Sequence, residues 1–244
     1  MGKLGGRVAV VTGGGSGVGK ATAAAFLAEG ARVVIAGRDA KRLNETAAEL
    51  NGGGNLLVVP TDAADPNQAK ALINQTLATF ARIDVLVNNA GTNIKERTLR
   101  ELTPEAWDMM VRVNMDSAFY CLHAVLPHML EKQDGVIVNV VSVAGKRANP
   151  LGGAAYVAAK FGMGALGLVL GNEEKDSGVR VSNVYPGEID TPILAARPRP
   201  VTEEQRAVIL KPEDVANAVL FVATLPKHVS VPELVIKPTV QQYF

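Results

Sequence analysis

Arg7-Val8-Ala9-Val10-Val11-Thr12-Gly13-Gly14-Gly15-Ser16-Gly17-Val18-Gly19 begins as a short apolar strand, breaks into glycine, and passes into an Ala-rich helical segment that runs to Gly30. A turn between a first buried strand and a helix puts free N–H groups and the positive helix end where a phosphate can bind. Glycine there lets the backbone approach a pyrophosphate and lets the helix pack on the strand. A ligand-free turn would gain nothing from five glycines in the seven residues 13–19, which only add unfolded-state entropy. Two nucleotide motifs fail on spacing. Gly14 to Lys20 nearly spells a P-loop, but Ala21 stands where the magnesium-binding hydroxyl belongs and Thr22 comes one place late. Ser16 and Val18 break every register of G-x-G-x-x-G. The pattern that fits is T-G-x-x-x-G-x-G, in Thr12, Gly13, Gly17 and Gly19.

Outward from this turn, apolar runs recur at Val33 to Ala36, Leu56 to Val59, Val85 to Val87, Val136 to Val141, Val179 to Tyr185 and Leu234 to Ile236. They are too uniformly apolar for one wet face and read as parallel strands covered on both sides. Helix starts lie between them: Asp65-Pro66 before a run to Ala81, Thr103-Pro104 before a run to about Leu130, and a capping box from Thr202 to Gln205. Seven strands and six helices predict an α/β, doubly wound (Rossmann) parallel sheet with helices on both faces. No repeat or linker divides residues 1–244, so one dinucleotide-binding and catalytic domain is expected. The stretch Gly187 to Pro200, rich in Pro and Arg, reads as a loop over a site.

Composition narrows the partners. With 25 basic against 24 acidic residues and a net charge of +1, the footprint of a nucleic-acid binder is missing. Cys121 is the only cysteine, and His123, His128 and His228 have no metal-ligand spacing with a carboxylate, so no metal site is expected. The longest run free of charged residues, Ser117 to Leu130, is short for a membrane span, and the N-terminus has no leader pattern. A cytoplasmic protein without membrane attachment is expected.

Tyr156 and Lys160 stand four apart at the start of a segment that reads as helix to about Asn172, which stacks them on one face. An adjacent ammonium can lower a phenol's pKa by roughly 1–3 units and make it a usable acid/base near neutrality. Ser142 ends the strand Val136 to Val141, at the carboxyl edge where open α/β sheets place ligands. Asn114 sits inside a helix whose interior disfavours Asn. Asn88-Asn89-Ala90-Gly91 ends the fourth strand and Pro186-Gly187 ends the sixth, on the same edge.

Together these residues resemble the short form of the short-chain dehydrogenase/reductase family over essentially the whole chain. The resemblance implies Tyr156 as general acid/base, Lys160 lowering its pKa and holding the nicotinamide ribose, Ser142 positioning the substrate oxygen, and Asn114 supporting a water in a proton relay. It places the cofactor on Thr12, Gly13, Gly15, Ser16, Gly17, Val18, Gly19, Asn88, Ala90 and Gly91, on Pro186 and Gly187, with Asp62 at the adenine and Ile189 and Thr191 at the carboxamide. Ser142 and Tyr156 are one residue further apart than the family's usual spacing, an insertion expected around Lys146 to Pro150. The segment from His228 to Pro238 is more similar to 3-hydroxy-acid and serine dehydrogenases than to 3-oxoacyl-carrier-protein reductases, which remain the alternative. A nucleotide-sensing regulator on the same fold is a rival from another class, but it would not need the full catalytic set. A serine hydrolase would need glycines flanking Ser142.

The second strand ends in Gly37-Arg38-Asp39. An NAD-selective relative would place a carboxylate at Gly37, whereas Arg38 offers donors suited to a 2′-phosphate, so NADP(H) is expected over NAD(H). The expected substrate is a small carbonyl or secondary alcohol, a keto or hydroxy acid or similar, whose carboxylate or phosphate Arg197 and Arg199 could clamp with bidentate bonds. The helix from Tyr156 is apolar on nearly every side, which predicts a homodimer or homotetramer.

Overall fold

The computed structural model describes residues 2–242. Its strands are β1 Val8–Thr12, β2 Arg32–Gly37, β3 Leu56–Pro60, β4 Val85–Asn88, β5 Gly135–Val140, β6 Val179–Pro186 and β7 Glu233–Ile236. All pair in parallel, in one sheet of order β3-β2-β1-β4-β5-β6-β7. The winding reverses between β1 and β4, so a crevice opens beyond their carboxyl ends.

Why the strand sequences lack a polar alternation is visible in the packing. Successive side chains of a strand point to opposite faces. Ala9, Val11, Val33, Ile35, Val85 and Val87 face Val18 and Phe26 of α1 (Gly17–Ala28) and Val215, Val219 and Val222 of a C-terminal helix. Val10, Val34, Leu86 and Ile137 face Leu72 and Ile73 of one helix and Cys121, Val125 and Met129 of another on the opposite side. Residues of the central strands therefore meet a helix whichever way they point, and each fully buried Val, Leu or Ile contributes about 1.5–3 kcal/mol.

The remaining helices are α2 Ala40–Leu50, α3 Pro66–Phe80, α4 Pro104–Val111, α5 Ser117–Lys132, α6 Ala154–Glu173, α7 Glu203–Val208 and α8 Pro212–Ala223. Their starts follow the expected chemistry. Asp65 accepts from the backbone N–H of Asn67 and Gln68, Thr103 accepts from Ala106, and Thr202 and Gln205 close a capping box. Two of the six expected helices are broken. The run from Pro104 to Lys132 is interrupted by a π-turn at Arg112–Asp116, and α7 is separated from α8 where Leu210 pairs with Ile189 in a short parallel bridge. By length and composition α6 could cross a membrane, but it packs against β6 and carries the buried Lys160.

Candidate active site

The glycine turn is clipped to the loop after β4. Thr12 Oγ1 accepts from the N–H of Asn89 (3.0 Å) and Ala90 (3.1 Å), and Asn89 Nδ2 donates to the carbonyls of Thr12 and Gly13. Gly13 and Gly17 take left-handed backbone, with φ of +64° and +50°. Gly19 permits the closest approach: a Cβ there would lie 2.2 Å from the carbonyl oxygen of Gly13. Ser16 occupies the N-cap of α1 without a side-chain cap bond, which leaves the first N–H groups of the helix for an anion.

The cleft beyond the turn has two parts. The smaller, of about 190 Å³, is lined by Thr12, Gly13, Gly15, Ser16, Gly37, Arg38, Asp39, Arg42, Asp62, Ala90 and Gly91. The larger, of about 880 Å³, continues past Gly17 and Val18 to Ser142, Tyr156, Lys160, Pro186, Gly187, Ile189 and Thr191. This is the size range of small-molecule and cofactor sites. The donor set fits a dinucleotide: uncapped N–H groups at the turn, a carboxylate at Asp62, and guanidinium groups at the end of β2. Asp39 faces this end too, and its carboxylate accepts from the N–H of Arg42 at 3.0 Å as the N-cap of α2.

The acid/base set comes from three elements. β5 delivers Ser142, whose Oγ accepts from the N–H of Ala144 (3.1 Å) in a turn that directs it into the cleft. α6 carries Tyr156, half-buried in the cleft wall, and Lys160, which is 3% exposed. The π-turn carries Asn114, fully buried, whose Oδ1 accepts from the N–H of Thr92 (3.0 Å) while Nδ2 donates to the Met110 carbonyl (2.9 Å). Gly91 lies between the last two: a Cβ there would be 3.1 Å from Asn114 Oδ1 and 3.7 Å from Lys160 Nζ. π-turns inside α-helices recur at functional sites.

The influences on the Tyr156 phenol come from burial, Ser142 and Arg97. Burial pushes that phenol above its usual range, and the opposing influences are a hydrogen bond with Ser142 and the charge of Arg97. Lys160 Nζ donates to the Val140 carbonyl at 3.0 Å, and burial lowers its own pKa to about 7.

Other expected residues divide by position. Asn88 lies beneath the cleft rather than in its wall, donating from Nδ2 to Asn139 Oδ1 at 3.0 Å, and Gly19 and Asn114 also stand behind the lining. The loop Gly187 to Pro200 does lie over the larger part, through Ile193 to Arg197. Its two arginines form no clamp: Arg197 pairs with Glu188 at 3.1 Å, and Arg199 is exposed. Among the lining residues outside the expected set are Asn89, Arg42 and Arg97. Asn89 was legible as part of the Asn-Asn-Ala-Gly run, and Arg42 as the residue one helical turn beyond Arg38. Arg97 had no local signal, because its partners are backbone carbonyls up to 99 residues away.

A doubly wound sheet with a dinucleotide cleft at its reversal point and this side-chain set defines a NAD(P)-dependent oxidoreductase acting on carbonyl or alcohol substrates. The chain belongs to the short-chain dehydrogenase family, whose model, described as short chain dehydrogenase, matches residues 7–201. It is 36% identical over 232 residues to an uncharacterized oxidoreductase of Staphylococcus aureus (strain USA300), covering 95% of this chain and 97% of the relative. Among solved structures, it is similar to the closed form of serine dehydrogenase complexed with NADP+, at TM-score 0.89, 31% identity and 97% coverage of both chains. It is also similar to a 3-ketoacyl-(acyl-carrier-protein) reductase from Brucella melitensis complexed with NADH, at TM-score 0.87 and 31% identity, covering 96% of this chain and 98% of that one. Identity to the two is equal, so the branch favoured by residues 228–238 rests on those residues alone.

Proposed function

We propose that the chain interconverts a small carbonyl compound and its secondary alcohol with NADP(H), using Tyr156 as the acid/base. The observation that carries this reading is the convergence of Ser142, Tyr156 and Lys160 on one cleft wall, beside the glycine turn. A bound nicotinamide would supply or accept the hydride. Ser142 holds the substrate oxygen, and the Tyr156 hydroxyl gives that oxygen a proton in reduction and takes one in oxidation. Lys160 holds the nicotinamide ribose, and Asn114, with one Oδ1 lone pair beyond the Thr92 bond, supports a water between Lys160 and solvent. Thr191 and Ile189 take the carboxamide and Asp62 the adenine. Arg38 and Arg42 line the cleft where a 2′-phosphate would lie, and no carboxylate stands at Gly37, which supports NADP(H) over NAD(H). The likeness to a serine dehydrogenase holding NADP+ supports the same choice.

The chain is proposed to work as one dinucleotide-binding and catalytic unit, paired with further copies through α6. The deciding experiment is Tyr156→Phe. It should reduce turnover by at least about 10³-fold, within the range of lost general acid/base catalysis, while NADP+ affinity stays nearly unchanged. Substantial turnover by that variant at pH 7 would remove Tyr156 from the role. A panel of 3-hydroxy acids, 3-oxoacyl thioesters and simple ketones identifies the branch.

A further inference from the structure

Arg97 lies in the loop between β4 and α4 and is 6% exposed. Its Nε donates to the Ile94 carbonyl at 2.7 Å, Nη1 to Leu151 at 2.8 Å, and Nη2 to Ala196. All three partners are neutral. Among the described residues no carboxylate pairs with it, whereas Arg7 and Arg82 share Asp84, Arg197 has Glu188, and Arg206 and Lys211 share Asp190. A buried cation without a counter-charge is costly.

The side chain is held in place by the turn that starts α6. Gly153, at φ +81°, lets the backbone pass so close that a Cβ there would lie 2.6 Å from Arg97 Cβ, and the N–H of Ala154 donates to the Arg97 carbonyl at 3.3 Å. Two residues later the same helix presents Tyr156, whose phenol feels the Arg97 charge. Arg97 lines the larger part of the cleft with Ser142 and Tyr156; Arg38 and Arg42 reach both parts, whereas Arg97 is absent from the smaller part at the end of β2. The cofactor's phosphates belong at the glycine turn and at the end of β2, so the anion that would complete Arg97 comes from the substrate. Of five guanidinium donors, three are engaged, and one N–H remains on each Nη nitrogen for a carboxylate.

We propose that Arg97 is the carboxylate receptor of the site and that the substrate is a small oxo or hydroxy acid, its reacting oxygen at Ser142 and Tyr156. This rests on the reading of Tyr156 given above. The first test is calorimetric titration of carboxylates of two to six carbons into the protein, with and without NADP+. At least one should bind with Kd below about 1 mM. Arg97→Gln should weaken that binding at least tenfold, Arg97→Lys should weaken it less, and Tyr156→Phe should retain it. The second compares 3-oxobutanoate with its methyl ester as substrates of the unmodified protein. The acid should be preferred at least tenfold in kcat/KM, and Arg97→Gln should lose at least tenfold more on the acid than on the ester. An absence of carboxylate binding, or equal loss on acid and ester, overturns the proposal even if Tyr156 behaves as described. Carboxylate binding that survives in a protein unable to bind NADP+ would instead overturn the cofactor reading and leave Arg97 as the anion site.

Discussion

The ammonium nitrogen of Lys160 lies 5.8 Å from the centre of the Tyr156 ring and points to the Val140 carbonyl, not to the phenol oxygen. A lysine buried with a single backbone carbonyl and the Met163 sulfur for company is a net cost to the fold. Below about pH 7 the amine is protonated in both the folded and unfolded chains, and folding bears the full desolvation penalty. Between about 7 and the ordinary 10.5 only the unfolded chain holds the proton, so stability rises with pH across that window. In the cofactor-free protein, Lys160→Met should therefore raise the unfolding free energy by about 2–4 kcal/mol at pH 6 and by less at pH 9. Urea denaturation at the two pH values checks this, and a variant that is less stable at pH 6 would contradict it. The same change should abolish turnover and weaken NADP+ binding.

Arg38 and Arg42 sit one helical turn apart at the end of β2, with Asp39 capping α2 between them. Each change to Ala should lower kcat/KM with NADPH about tenfold or more, some 1.4 kcal/mol of transition-state binding, and barely alter it with NADH. Steady-state kinetics with both cofactors provides the comparison. Equal efficiency of the unmodified enzyme with the two would show that these arginines serve another purpose.

Asn88, Asn139 and Asn183 are register neighbours on β4, β5 and β6 and form a buried chain of amides. Asn88 donates to Asn139 (3.0 Å), Asn139 to Asn183 (2.9 Å), and Asn183 to the Gly164 carbonyl of α6 (2.8 Å). Asn139→Leu would leave a donor on one side and an acceptor on the other without partners, at about 1–3 kcal/mol each. A fall in the denaturation midpoint equivalent to at least ~2 kcal/mol, with the slope unchanged, is expected. A neutral result would mean that buried water or a local shift replaces the chain.

On α6, Phe161, Leu168 and Val169 are exposed, Val169 by 55%. If this face meets a second copy, Val169→Glu should halve the molecular mass measured by light scattering at micromolar concentration or reduce it to that of a single chain. A single-chain mass in the unmodified protein would refute the pairing.

Much of the fold was legible because both signals were local. The uniformly apolar runs follow from helices on both faces of each strand, and the glycine spacing follows from the approach of Gly19 to Gly13. Ser142 and Asn114 stood out by residue type, at a strand end and in an unfavourable helical position, and Tyr156 by its four-residue spacing from Lys160. What stayed hidden depended on distant backbone. Arg97 is held by the carbonyls of Leu151 and Ala196, which no side-chain pattern announces. Lys160 has the expected spacing from Tyr156, but sequence cannot tell toward which acceptor its amine turns. Arg197 and Arg199 read as a clamp because Glu188, the partner of Arg197, is nine residues away in the sequence.

The π-turn at Arg112–Asp116 also sets the angular phase of everything after it. Each residue of an α-helix advances the side-chain direction by about 100°. The wide turn holds Asn114 inward at Thr92 while Cys121, Leu122, Val125 and Met129 of α5 still face the sheet. Deleting one residue from this turn would allow a regular helix and relieve a local irregularity, but it would rotate those four buried side chains off the core together. Substitutions can tune the residues on either side, whereas the length of this segment is fixed by two demands that no single straight helix satisfies.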